Sequence, residues 1–249
     1  MKSKDNILAI ASGKGGVGKT WVSTTISHIF ANSGRKALLF DGDIGLANVD
    51  VQLGLSPAVD LSDVFTGKAT LAQAVTHYDE GNFDIIAGRS GSGSLANLSV
   101  DKINSLSREL DALAKTYDLV LLDLGAGIEQ QVQAMAQLAS RCLIVITDEP
   151  TSLTDAYAFI KILRMQNQDA DIQIIVNMAE NQREGLKTFG AIKNACESFL
   201  KFSPRLAGIV RRDPKVKEAI RSQTPILLKN SKSMAAADIA ALAVKLMAR

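Results

Sequence analysis

The sequence predicts a doubly wound α/β fold, in which a mostly parallel sheet is flanked by helices within a single domain of residues 1–249. Strand-like and helix-like segments alternate along the whole chain, a glycine-rich loop follows the first strand, and later strands end in carboxylates. Neither a composition break nor an internal repeat divides the chain. With 47% hydrophobic and 22% charged residues, it can bury a core of ordinary globular size.

The glycine-rich loop begins just after the first predicted strand, residues 7–10. It fits the phosphate-loop pattern G-x-x-x-x-G-K-[ST] without a gap, and apolar residues at helical spacing follow it. In such a loop the backbone N–H groups close on phosphates, and the helix N-terminus adds its positive dipole end. Lys19 would reach the β- and γ-phosphates, and the Thr20 hydroxyl would bind Mg²⁺. The predicted phosphate-binding residues are Gly13, Lys14, Gly15, Gly16, Val17, Gly18, Lys19 and Thr20.

Carboxylates follow two of the predicted strands. The strand at 36–40 runs into Asp41 and Asp43, and the apolar run at 117–122 ends in Asp123. Side chains off the carboxyl ends of parallel strands point into the crevice where ligands bind. An Asp at the tip of a hydrophobic strand is also what a phosphate-loop ATPase needs to anchor Mg²⁺. A simpler alternative for Asp41 and Asp43 is a turn in which Asp and Gly serve backbone geometry.

The remaining segments continue the alternation of strands and helices. The sequence predicts a short helical patch at 71–75, strands at 83–87, 141–147 and 171–177, a surface loop at 88–94, and helices at 103–113, 130–139 and 152–166. Asn177 ends the last strand, where its amide would either cap the strand or contact the edge of adenine. The Ala-rich residues 234–249 carry two cations, which predicts a core-packed helix rather than a membrane-surface helix.

The overall composition argues against several classes of protein. Cys142 and Cys196 do not form a C-x-x-C pair, so a disulfide framework, a zinc site and an iron–sulfur cluster are not expected. No apolar run approaches the ~20 residues of a membrane span, and no signal peptide is expected, which favours a cytoplasmic protein. From Lys201 onward, eleven Lys/Arg face three Asp/Glu. This basic segment would contact nucleic acid or anionic lipid, or would simply be a solvated face.

The phosphate loop and the segments after it resemble the MinD/ParA family of ATPases, over about residues 7–246. Lys14, directly after the first glycine, matches the family's deviant phosphate loop, and residues 41–50 and 124–129 match its two switch regions. The resemblance implies slow, partner-stimulated hydrolysis of ATP with Mg²⁺ by an ATP-dependent homodimer. By that resemblance, Lys14 crosses to the ATP of the partner subunit and Asp43 positions the attacking water. A charge on the loop rim is the plainer alternative for Lys14.

The resemblance also assigns the remaining ligands. It implies that Asp41 and Asp123, with Thr20, hold Mg²⁺, and that Asn177 contacts the base. Residues 208–214 match the family loop that covers adenine, with Arg212 and Asp213 as contacts. Trp21 stands where the family has a small polar residue, and it is expected to lie at the nucleotide.

Residues 45–50, 149–157 and 213–220 resemble a branch of the family that controls flagellar number and placement. The leading hypothesis is therefore a dimeric ATP switch that regulates flagellar assembly, or positions a polar structure, through a protein partner. The N-terminal extension that stimulates a GTPase partner in such proteins is expected to be absent, and membrane-surface binding is not expected. The alternative is a ParA-like partition ATPase whose ATP-bound dimer binds DNA non-specifically. Its candidate contacts are Lys201, Arg205, Arg211, Arg212, Lys215, Lys217, Arg221, Lys229 and Lys232.

Overall fold

The structure is a computed structural model that describes residues 4–43, 47–88 and 100–248. The predicted surface loop at 88–94 lies outside the described residues except for Gly88. Residues 44–46 of the first switch string also lie outside them. The helices and strands below are those of the described ranges.

One mixed sheet organises the chain. Its strands are β1 (Ile7–Ser12), β2 (Ala37–Gly42), β3 (Val75–Tyr78), β4 (Phe83–Ile86), β5 (Leu119–Ala126), β6 (Arg141–Ile146), β7 (Asp171–Ala179) and β8 (Arg205–Arg211). They lie in the order β3-β4-β2-β5-β1-β6-β7-β8. All neighbouring strands are parallel except β3 and β4, which form an antiparallel pair at one edge. β1 therefore lies between β5 and β6, and its carboxyl end is bordered on both sides.

Helices cover both faces of this sheet. They are α1 (Lys19–Asn32), α2 (Val49–Leu53), α3 (Leu61–Phe65), α4 (Val100–Ala114), α5 (Gln130–Ala136), α6 (Pro150–Gln166), α7 (Gln182–Leu200), α8 (Pro214–Arg221), α9 (Ile226–Lys229) and α10 (Met234–Met247). Residues of β1 alternate between two buried clusters. Ile7 and Ala9 belong to the cluster with α4, α5, α6 and α7, whereas Leu8 and Ile10 belong to the cluster with α1 and α10. A strand that is buried on both faces is typical of a doubly wound fold, so the predicted fold class is confirmed.

Three local predictions need correction. Residues 208–211 do not form a covering loop but belong to β8, because Ile209 and Val210 are buried in its pairing with β7. Asn177 lies inside β7 rather than at its end, and the pairing register with β8 shifts between Val176 and Ala179, the stretch that contains it. The patch at 71–75 is a 3₁₀ turn, Leu71–Ala74, from which the chain enters β3.

The Ala-rich segment near the chain end is α10, which packs on the core as predicted. Ala235, Ile239 and Leu242 are buried against α1 and β8. Small side chains bring this helix close to the sheet: a Cβ added to Gly208 of β8 would lie 2.9 Å from a Leu242 methyl carbon. Within the part of the chain that the structure describes, no helix is both long enough and apolar enough to cross a membrane.

Candidate nucleotide site

The phosphate loop joins the buried end of β1 to the first turn of α1. Gly16 and Gly18 have φ angles of 77° and 91°, in the left-handed region that glycine adopts without strain. α1 begins at Lys19, so its first N–H groups face the concave side of the loop. A Cβ on Gly13 would overlap the backbone of Asp155 in α6. The sequence therefore forms the predicted anion cradle, closely packed against α6.

The loop forms one wall of an open cleft of about 990 Å³. Of the predicted site residues, ten line it: Gly15, Gly16, Gly18, Lys19, Thr20, Trp21, Asp43, Asn177, Arg212 and Asp213. Asn48, Val51 and Gln52 form a second wall, and residues of α8 form a third. The cleft is large enough for a cofactor-sized ligand. Tertiary structure thus brings together residues that are up to about two hundred positions apart in the sequence.

Lys19 is nearly buried beneath the cradle. Its Nζ donates a hydrogen bond of 2.9 Å to the Ser12 hydroxyl. Desolvation lowers the pKa of Lys19, while the charges of Asp123 and Asp43 oppose that shift. A cation that has lost most of its hydration binds an anion strongly, because water no longer competes. This is the electrostatic arrangement that a phosphate group requires.

Lys14 lies on the other side of the loop and does not face the cleft. Its Nζ pairs with the Glu149 carboxylate, and it also donates a hydrogen bond of 2.9 Å to the Thr151 hydroxyl. Both partners belong to the start of α6 in the same chain. Lys14 is therefore held by its own subunit in this structure, and its contact with a partner's ATP stays a prediction.

Asp123 lies at the floor of the site, where strands β5 and β1 meet. Its carboxylate accepts a hydrogen bond of 3.0 Å from Ser23 and is almost completely buried. Burial raises its pKa to about 6. The nearby Thr20 hydroxyl donates a hydrogen bond of 2.9 Å to Asn48. A hydroxyl and a carboxylate at this spot, beside the cradle, are oxygen ligands of the kind that Mg²⁺ prefers.

Asp41 is fully buried beside Asp123 in the neighbouring strand. Its two oxygens accept N–H bonds from Asp43 at 3.2 Å and from Asn48 and Val49 at 3.1 Å. Burial, with the charge of Asp123, raises its pKa to about 8. These hydrogen bonds fix the backbone of Asp43 and the start of α2. Whether Asp41 also supports Mg²⁺ stays a prediction.

Asp43 itself lines the cleft and lies against the second switch. A Cβ on Gly125 would come within 3.1 Å of its Oδ1, so any larger residue there would press against the carboxylate. The carboxylate therefore stands between the cradle and the strand that carries the second switch. That position suits its predicted role in orienting water.

On the base side of the cleft, the two residues predicted to contact the base, Asn177 and Asp213, form hydrogen bonds within the protein. The amide of Asn177 donates a hydrogen bond of 2.7 Å to the carbonyl of Val17. Asp213 caps α8 through Lys215 N–H and also accepts bonds from the Ser233 hydroxyl and Met234 N–H. Burial alone would raise the pKa of Asp213, but these hydrogen bonds outweigh it and lower that pKa. Both residues shape the base side, and direct contact with a base stays a prediction.

Several residues of the site were not predicted from the sequence: Ser12, Asn48, Glu149 and Thr151. Ser12 directly precedes the loop motif, so its position alone was a usable signal. No spacing rule links Glu149 or Thr151 to Lys14, because that contact depends on how α6 packs. Asn48 lies within the first switch string, but its bond to Thr20 required the folded loop.

A phosphate loop, a desolvated lysine and buried carboxylates at one edge of a parallel sheet define a nucleotide-binding protein. The family model described as "CobQ/CobB/MinD/ParA nucleotide binding domain" matches residues 8–226. The chain belongs to this family. The resemblance drawn from the phosphate loop and the two switch strings is thereby confirmed.

The proteins to which the chain is similar include two named for flagella and others named for cell division or septum placement. The antiactivator FleN of Pseudomonas aeruginosa is 34% identical over 96% of this chain and 85% of that protein. The flagellum site-determining protein YlxH of Helicobacter pylori is 30% identical over 89% of this chain and 75% of that protein. The structure of the MinC:MinD cell division complex of Aquifex aeolicus is 29% identical, with a TM-score of 0.79, and the match covers 98% and 96% of the two chains. MinD of Pyrococcus horikoshii, complexed with Mg-ADP, has a TM-score of 0.80 at 24% identity over 97% and 95% of the two chains, and supports the fold alone.

Proposed function

We propose that this protein is a dimeric ATP switch that regulates flagellar number or assembly, or that positions a structure at the cell pole. It binds ATP with Mg²⁺ and hydrolyses it. The observation that carries the proposal is the desolvated Lys19 beneath an intact phosphate loop, in a chain similar to two flagellar regulators over most of its length.

The described residues suit Mg-ATP. The glycine cradle and Lys19 would hold the phosphates, while Thr20 and Asp123 would hold the metal ion. Among the described residues, no group of three or more His, Cys, Asp and Glu side chains could hold a metal. This suits Mg²⁺, which commonly binds through one or two carboxylates together with phosphate oxygens. When bound, Mg²⁺ neutralises charge that develops on the phosphates.

Within this site, each acidic or basic side chain has a separate proposed task. Asp43 orients the attacking water, because it lies at the cleft wall next to the second switch. Lys14 leaves Glu149 and contacts the triphosphate of the partner subunit when two ATP-bound copies meet. Exchange of one carboxylate for a phosphate keeps the ammonium paired in both states, which makes the transfer energetically feasible.

We further propose that residues 1–249 act as one domain in the cytoplasm, and that a protein partner stimulates hydrolysis or detects the ATP-bound state. The family relationship and the single eight-stranded sheet support this proposal. The relatives FleN and YlxH make a component of flagellar regulation or assembly the partner to test first.

Two of the cations proposed to contact DNA form salt bridges within the protein. Arg205 forms a salt bridge with Asp171, and Arg211 forms a bidentate one with Asp238. The remaining cations lie mainly on and around α8 and α9, beside the cleft. If ATP-dependent DNA binding were strong and fell steeply with salt, this alternative would replace the flagellar proposal.

The test uses the native host with its own copy of the protein deleted. Flagella per cell are counted by electron microscopy after complementation with wild type, with Lys19→Ala, or with Lys187→Ala as a control on an exposed helix surface. Wild type and Lys187→Ala should restore the normal number, and Lys19→Ala should not. Unchanged flagellar number and placement in the deletion strain would refute the flagellar role, whatever the ATPase activity.

A further inference from the structure

Ser12 is the residue at which three functional segments meet. It is the last residue of β1 and is fully buried. Its hydroxyl accepts a hydrogen bond from Lys19 Nζ at 2.9 Å and donates one to the carbonyl of Lys14 at 2.6 Å. Its own carbonyl accepts the N–H of Gly127, in the second switch, at 3.0 Å. One serine therefore contacts both loop lysines and the switch.

The directions of these bonds follow from the chemistry of the groups. A serine hydroxyl has one proton, and an ammonium group has only protons to offer. Because the Ser12 proton goes to the Lys14 carbonyl, its oxygen is free to accept from Lys19. A buried ammonium without an acceptor would lose its solvation with nothing in return. The Ser12 oxygen thus replaces water for Lys19.

We propose that Ser12 is a positioning residue of the ATPase, which holds Lys19 away from the phosphate position until nucleotide arrives and fixes the Lys14 backbone throughout the cycle. The inference rests on the proposed ATPase function. ATP binding then requires Lys19 to exchange the Ser12 oxygen for phosphate oxygens. The hydrogen bond from Ser12 to the Lys14 carbonyl remains, and it keeps the loop backbone at Lys14 in a fixed position.

This role predicts opposite changes in affinity and turnover when the hydroxyl is removed. Without Ser12 Oγ, the free protein loses the bond that competes with ATP, so ATP binds more tightly. The Lys14 backbone also loses its donor, so catalysis slows. Loss of a bond made only in the free protein lowers Kd, and loss of a contact that turnover needs lowers kcat, so the two Ser12 bonds together predict a lower Kd and a lower kcat. A merely structural serine would instead weaken binding and turnover together.

The experiment compares Ser12→Ala with Ser27→Ala. Ser27 is a fully buried serine of α1 whose hydroxyl has no hydrogen-bond partner within the described part of the chain. Mg-ATP affinity is measured by titration calorimetry, kcat by phosphate release, and folding by thermal denaturation. Ser12→Ala should bind Mg-ATP about 5- to 10-fold more tightly and turn over about 5- to 10-fold more slowly, since the net contribution of one typical intramolecular hydrogen bond corresponds to a factor of about that size. Ser27→Ala should leave both values within about 2-fold.

Two outcomes would overturn the inference. One is a folded Ser12→Ala variant whose Mg-ATP affinity is unchanged or weaker. The other is tighter binding with unchanged turnover, which would remove the role at Lys14. Should Ser12→Ala fail to fold, Ser12→Cys keeps the side-chain size but offers only a weak acceptor, and the same opposite changes are required of it. Absence of ATP binding in the wild type would instead refute the proposed function itself.

Discussion

Replacing Asp41 with asparagine should stabilise the nucleotide-free protein at alkaline pH but not at acidic pH. Burial raises the pKa of Asp41 to about 8, whereas the carboxyl in the unfolded chain keeps its ordinary value of 3.8. The folded protein therefore holds a proton at pH values where the unfolded chain has lost it. The contribution of Asp41 to wild-type stability consequently falls as pH rises through the window from about 4 to about 8.

The size of the effect follows from linkage. Each pH unit inside the window changes the free energy of unfolding by about 1.4 kcal/mol. Between about pH 5.5 and pH 8, with half-ionisation at the upper end, Asp41 lowers wild-type stability by about 3 kcal/mol. For a chain of this length, that corresponds to about 6–12 °C in Tm. Asparagine is always neutral, and its oxygen can still accept the N–H groups of Asn48 and Val49.

The assay is thermal denaturation in EDTA without nucleotide, at several pH values across this window. The control is Asp148→Asn, because Asp148 is exposed. The Tm difference between Asp41→Asn and wild type should grow with pH, whereas that of Asp148→Asn should stay constant. A pH-independent difference for Asp41→Asn would show that Asp41 is ionised throughout, and the argument from burial would be refuted.

Three further predictions concern nucleotide. Lys19→Ala should abolish ATP binding in equilibrium dialysis, because Lys19 is the nearly buried cation under the loop; wild-type affinity would contradict this. Asp43→Ala should bind ATP with nearly normal affinity yet hydrolyse it about 10²–10⁴-fold more slowly, and normal phosphate release would remove Asp43 from the mechanism. In the Asp43→Ala background, Lys14→Ala should abolish ATP-dependent dimerisation in light scattering while ATP binding persists. If the protein dimerises equally well with and without the Lys14 side chain, Lys14 is a charge on the edge of the loop that pairs with Glu149, and its contact with the partner's ATP is refuted.

The sequence was sufficient where the physical signal is local. The order of strands and helices follows from periodicity, and the phosphate loop follows from glycines at fixed spacing before a helix. The strand-tip positions of Asp41 and Asp123 are also local, because each comes directly after an apolar run. These signals correctly predicted the doubly wound sheet, and Asp41 and Asp123 lie side by side in neighbouring strands of it.

Local signals were insufficient on the base side of the cleft. Residues 208–211 consist of a glycine, two apolar residues and an arginine, a pattern that does not predict a strand. Their pairing with β7 is what places them in one. Asn177 was expected to end its strand, but the strand continues past it through an irregularity that brings its amide against Val17. Asp213 is bound by the start of α10, about twenty residues later in the chain. Such contacts depend on packing, which the sequence does not display.

The class of fold, the phosphate loop and the carboxylates that accompany it can therefore be predicted from the sequence, because each is encoded within a few neighbouring residues. The partner of each charged group depends instead on tertiary packing. Lys19 is held by Ser12, Lys14 by Glu149, and Asp41 by the backbone of the switch loop. Burying a charge without a partner is costly, so these groups bind whichever acceptor or donor the packing of the folded chain has brought within reach.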